Sequence, residues 1–117
     1  MRQYETMVLL SPELDEDAVE KKIQGVEKHL KENDSEVISV DRLGKKRLAY
    51  PINKQRHGTY FVIVYKAEKE VISEMEQGMR LDEETFRYMT TRIEESVLRK
   101  IQKTVDHQAA QAARDES

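Results

Sequence analysis

The order of apolar patterns in the 117 residues predicts an α+β sandwich. Three observations carry it. Four segments show the short-period apolar pattern of strands, two show apolar residues at helical spacings of three and four, and their order is strand, helix, strand, strand, helix, strand. Each helix lies inside a connection of about 25 residues, enough for a right-handed crossover, while a short turn separates the two middle strands. The packing that satisfies both is a split β-α-β, or ferredoxin-like, sandwich: a four-stranded antiparallel sheet with both helices on one face.

The first strand is expected over residues 3–10, apolar on both parities, which suits a central strand covered on both sides or lying at an interface. Ser11-Pro12-Glu13 breaks it. Asp15 or Asp17 caps a helix in which Ala18, Val19, Ile23, Val26 and Leu30 share a face, and Asn33-Asp34 stops it. Residues 36–41 resume the strand pattern, which continues through Leu48, Tyr50 and Ile52; Gly44 inside it predicts a bulge or bend. Residues 53–58 supply the hairpin turn, and Thr59 to Lys66, the most β-prone run, belongs at the centre of the sheet. A second helix is expected at about 68–80, with Val71, Ile72, Met75 and Met79 on one face and Arg80 where a cation suits the helix dipole. Residues 85–93 make the fourth strand.

Strand parity places Thr6, Val8, Leu10, Phe61, Ile63, Tyr65, Phe86 and Tyr88 under the helices and leaves Met7, Leu9, Tyr60, Val62, Val64, Arg87 and Met89 on an open, apolar face. Such a face is a candidate contact surface. Residues 1–93 are expected to form one domain. Residues 94–117, where Val97, Leu98, Ile101 and Val105 keep a helical spacing before Gln and Ala take over, are expected to be a C-terminal helical extension or mobile tail.

The absence of cysteine excludes disulfides, thiolate zinc sites and thiol catalysis, and fits a reducing interior. No apolar run approaches the roughly 20 residues of a membrane span, so a cytoplasmic chain is expected. His29, His57 and His107 have no metal-ligand spacing, and His29 reads as an ordinary exposed imidazole in a Lys/Glu-rich helix. No serine has a nucleophile signature, no glycine-rich loop is present, and Asp82-Glu83-Glu84 reads as a helix-to-strand connection. Neither a catalytic residue, nor a metal, nor a cofactor is expected, and the chain is not read as an enzyme.

Charge is the strongest signal. Arg42 to Arg56 contains six Lys or Arg and no acid, +6 against −9 in the other 102 residues, in a chain of net charge −3. The net charge argues against a generic polyanion binder, so any RNA contact is local. Lys and Arg on an edge strand also guard against strand-to-strand aggregation, which accounts for Arg42, Lys46 and Arg47 equally well; a guarded edge can still be covered by a specific partner. Tyr60 and Phe61 lack the full spacing of an RNA-recognition sheet motif; Phe61 is expected in the core, and Tyr60 is either a partner contact or a plain exposed aromatic.

The opening Met1-Arg2-Gln3-Tyr4-Glu5, the block Leu43-Gly44-Lys45-Lys46-Arg47-Leu48-Ala49-Tyr50-Pro51-Ile52-Asn53-Lys54, the start Gly58-Thr59-Tyr60, and Arg80 with Arg87 resemble the bacterial small-subunit ribosomal protein S6 family over residues 1–93. The resemblance implies a non-enzymatic protein of the cytoplasmic ribosome. It implies binding to the central domain of the small-subunit ribosomal RNA, as a heterodimer with ribosomal protein S18, in subunit assembly. It further implies a protein-partner edge at Arg42, Lys46, Arg47, Leu48 and Tyr50, to which Tyr60 is added from its place on the sheet, and RNA contacts at Arg2, Arg80, Arg87 and Arg92. No membrane or small-molecule substrate follows from it. The alternative from another class is a ferredoxin-like regulatory domain that binds a ligand at a homodimer interface.

Overall fold

The computed structural model describes residues 1–93; the extension expected over 94–117 lies outside the described residues. The chain runs β1 (Arg2–Leu10), α1 (Glu16–Glu32), β2 (Glu36–Ile52), β3 (Gln55–Ala67), α2 (Lys69–Leu81) and β4 (Thr85–Arg92). The strands form one antiparallel sheet in the order β2-β3-β1-β4. This is the expected split β-α-β sandwich, with β3 and β1 at its centre and β2 and β4 at its edges.

Local chemistry accounts for the start of α1, the bend in β2 and the hairpin turn. Asp15 caps α1, its carboxylate accepting from the Ala18 backbone N–H at 2.8 Å. Gly44, at φ +78°, sits in the left-handed region where β2 slips register against β3, which is the predicted bulge. The hairpin is tighter than expected. Only Asn53 and Lys54 lie between the strands, both at positive φ (49° and 64°), the conformation of a two-residue turn whose twist matches the strands, and Gln55 already belongs to β3.

The core beneath the helices contains Val8, Leu10, Phe61, Ile63 and Tyr65 from the sheet with Ile23, Leu30, Val71, Ile72, Met75 and Met79 from the helices. Thr6, buried among them, satisfies the equally buried Tyr65 hydroxyl at 2.8 Å. Phe86 does not join this cluster. An irregularity between Leu9 and Leu10 pairs Leu10 with Thr85 and leaves Phe86 half-buried outside the cluster.

Two further expectations change. His29 is half-buried rather than exposed, and its Nε2–H donates to the Val71 carbonyl at 3.0 Å, tying the end of α1 to the start of α2. The sheet face away from the helices is also less open than parity alone implied: Leu9, Val62 and Val64 are buried there. Leu9 is covered because the β2–β3 hairpin passes so close that a Cβ on Gly58 would come within 2.2 Å of Leu9 Cδ1.

Candidate partner and nucleic-acid interface

The long edge strand β2 is what builds the candidate site. Its register with β3 runs to Arg47 opposite His57 and resumes at Ile52 opposite Gln55. Leu48, Ala49, Tyr50 and Pro51 therefore face a single β3 residue, Arg56, and this segment loops out as a strap over the sheet. Leu48, Ala49, Tyr50 and Ile52 line one side of a cleft of about 450 Å³, and Met7, Leu9, Tyr60, Arg87 and Met89 line the other. The lining is largely apolar. At its mouth, Arg87 Nη1 donates to the Tyr50 hydroxyl at 2.8 Å and the guanidinium lies 5.3 Å from the Tyr50 ring centroid. Tyr50 and Met89 remain 56% and 61% exposed, so the cleft keeps an aromatic and a thioether at its rim for a partner to cover.

Of the six residues proposed from sequence for a protein partner, three come together and three lie apart from them. Leu48, Tyr50 and Tyr60 meet at the cleft. Lys46, opposite Gly58, is beside it, on the face where Leu9 lies under the hairpin. Arg42 points to the other side of the sheet, where its guanidinium makes two hydrogen bonds to Glu20 of α1, one from Nε and one from Nη2 at 3.0 Å. That hydrogen-bonded pair holds the Glu20 carboxyl below, and the Arg42 guanidinium above, their usual ranges. Arg47 is exposed on the hairpin arm.

The four residues proposed for RNA do not form one patch. Arg2 opens β1 and Arg92 closes β4 opposite Tyr4, at one end of the sheet. Arg87 lies opposite Leu9 and Arg80 is in the last turn of α2, at the other end. Arg2 and Leu9 are separated along β1 by about 23 Å at the rise of a strand. The hairpin arm belongs to the Arg80 and Arg87 end. Sequence reasoning missed the strap and the Tyr50–Arg87 link, since both depend on a register that skips four residues.

Among the described residues no group of three or more His, Cys, Asp or Glu is placed to hold a metal ion, and no helix is long and apolar enough to cross a membrane.

The family model for Ribosomal protein S6 matches residues 3–92. The chain belongs to the ribosomal protein S6 family. Small ribosomal subunit protein bS6 of Campylobacter lari is 40% identical over 94 residues, which cover 80% of this chain and 76% of that protein. The crystal structure of 30S ribosomal protein S6 from Thermotoga maritima superposes with a TM-score of 0.75 at 29% identity, covering 88% of this chain and 96% of that one. The C-terminal domain of the MgtC protein from Mycobacterium tuberculosis, at 9% identity and a TM-score of 0.57, covers 81% of this chain and 90% of that one and shares the fold alone. In this S6-family chain the block Leu43 to Lys54, which carries the sequence resemblance, is therefore the segment that forms the bulge, the strap and the hairpin turn.

Proposed function

We propose that this small-subunit ribosomal protein has no catalytic role and binds the central domain of the small-subunit ribosomal RNA together with ribosomal protein S18 in the cytoplasmic ribosome. The observation that carries the reading is the apolar cleft under the strap, rimmed by the exposed Tyr50 and Met89 and flanked by cations, in a chain of net charge −3. A chain with this charge gains little from counterion release by itself, and its cations are concentrated next to an apolar docking surface. Protein docking through Leu48, Tyr50, Tyr60 and Lys46, with RNA contact through the neighbouring arginines, uses both features. Membership of the S6 family supports the same reading.

The test is RNA binding by the purified chain with and without S18. Weak binding that tightens when S18 is added supports the proposal, and tight binding by the chain alone counts against it. Replacing Leu48 and Tyr60 with Ser should weaken S18 association without unfolding the chain, because both are only half-buried.

A further inference from the structure

The two helices are tied together at both ends and stand apart in between. At one end Lys22 Nζ lies 2.7 Å from Asp82 Oδ2 and 3.1 Å from Glu84 Oε1, and at the other His29 donates to the Val71 carbonyl at 3.0 Å. Between these ties Gly25 of α1 and Gly78 of α2 line a cavity of about 340 Å³, floored by Val8, Leu10, Phe61, Met75 and Met79. It lies on the helix side of the sheet and shares no lining residue with the cleft under the strap.

Neither glycine is there to avoid a clash. A Cβ built on either would meet nothing within 4 Å, and neither has a positive φ. Glycine is the poorest helix former after proline, so the two weaken both helices without gaining any packing. What their missing side chains leave is the gap itself. The rim of that gap carries two charges of opposite sign: Lys21 on α1 and Glu74 on α2 both line the cavity, both are exposed, and neither makes an ion pair among the described residues.

We propose that the cavity between the helices is a binding site for a free aromatic amino acid, with its ring on the apolar floor between Gly25 and Gly78, its carboxylate toward Lys21 and its ammonium toward Glu74. The volume is at the lower end of the roughly 300–1,000 Å³ of small-molecule sites, which suits one ring with a short polar head. Phe61 and the thioethers of Met75 and Met79 make favourable contacts with an aromatic ring. The rim charges select the head. An anion alone would face Glu74 and a cation alone would face Lys21, whereas a zwitterion answers both.

The experiment titrates L-phenylalanine into the isotope-labelled full chain and follows the amide shifts by NMR. Three analogues are titrated alongside it: phenylalaninamide, which lacks the carboxylate, N-acetylphenylalanine, which lacks the ammonium, and toluene, which lacks both. The expected result is saturable shifts at the cavity-lining residues of α1 and α2, with affinity lower by about two- to five-fold for each single-charge analogue, the range of an exposed charge pair. Lys21→Gln should weaken L-phenylalanine to the same extent and leave phenylalaninamide unchanged, and Glu74→Gln should do the same with N-acetylphenylalanine as the unaffected probe. Gly25→Leu, which fills the gap, should abolish binding of every probe without lowering the melting temperature. Absence of saturable shifts at the cavity overturns the proposal, and so does toluene binding as tightly as L-phenylalanine, since the site would then not select an amino acid. Undiminished binding by a folded Gly25→Leu variant overturns it as well. Should that variant unfold, the two exposed charge substitutions decide alone, and unchanged affinity for L-phenylalanine in both refutes the proposal.

Discussion

The Tyr50 hydroxyl accepts a hydrogen bond from Arg87 Nη1 at 2.8 Å, joining the strap of β2 to β4 across a sheet in which β3 and β1 lie between them. The two edge strands are thus linked over the face that the helices do not cover. One residue of that link comes from the set proposed to meet a protein, the other from the set proposed to meet RNA.

If the link closes the cleft, the two truncations of Tyr50 should differ. Tyr50→Phe removes only a hydrogen bond between exposed groups and should change stability by less than about 1 kcal/mol. Tyr50→Ala also removes the ring that flanks the cleft, and should raise the fluorescence of a dye that reports exposed apolar surface. Equal dye binding by the wild type and Tyr50→Ala would show that the cleft is open whatever Tyr50 does.

Gly58→Ala should destabilise the fold. The added Cβ would meet Leu9 Cδ1 at 2.2 Å, and Leu9 is only 2% exposed, so the clash has little room to relax. A loss of about 1–3 kcal/mol in urea unfolding is expected for overpacking of this kind. In the Leu9→Ala background the same substitution should cost much less, and additive losses in a double-mutant cycle would contradict direct contact.

Thr6→Val leaves the buried Tyr65 hydroxyl without its 2.8 Å partner and should cost about 1–3 kcal/mol. Adding Tyr65→Phe removes the orphaned hydroxyl and should recover most of that loss. Thr90, whose hydroxyl lies 2.9 Å from Thr6, is only half-buried and can turn to water. A double variant no more stable than Thr6→Val would place the cost in packing and not in the hydrogen bond.

Two carboxyls give stability opposite pH dependences. Burial pushes the Asp82 carboxyl up, but the Lys22 ammonium at 2.7 Å, the Glu84 backbone N–H and the Thr85 hydroxyl outweigh it, and its pKa is lowered from 3.8. Asp82 therefore adds stability above its unfolded-state pKa, and that contribution is lost as the pH falls through the lower folded value. Burial, helped by the charge of Asp41, raises the pKa of Glu5 from 4.5. Glu5 adds stability below its unfolded-state pKa and loses it as the pH rises through the folded value. Asp82→Asn should thus lower stability at pH 7 and flatten the decline below about pH 4, whereas Glu5→Gln should raise stability at pH 7, with the gain vanishing in acid. Denaturant midpoints at pH 3 and pH 7 measure both, and equal shifts at the two pH values would refute the assignments.

The fold was legible because its determinants are local and periodic. The apolar face of α1, the cap at Asp15, the bend at Gly44 and the β-branched run of β3 are each written within a few neighbouring residues, and the strand-helix order leaves few ways to pack them. The misreadings arose where one element constrains another. Phe86 stays outside the core cluster where β1 and β4 slip by a residue, His29 is drawn inward by a carbonyl on α2, and the turn shortens because Asn53 and Lys54 both take positive φ.

The sequence by itself determined the sandwich, the family and the concentration of positive charge between Arg42 and Arg56, since composition and period require no knowledge of what lies opposite. Only the tertiary structure decided how that charge is used. Register and packing tie Arg42 to an acid on α1, set Lys45 among the acids at its start, hold Tyr50 against Arg87 and leave Arg47, Lys54 and Arg56 at an exposed tip. The physical reason is that a cation's availability depends on its neighbours in space, and across a sheet those neighbours are tens of residues away along the chain.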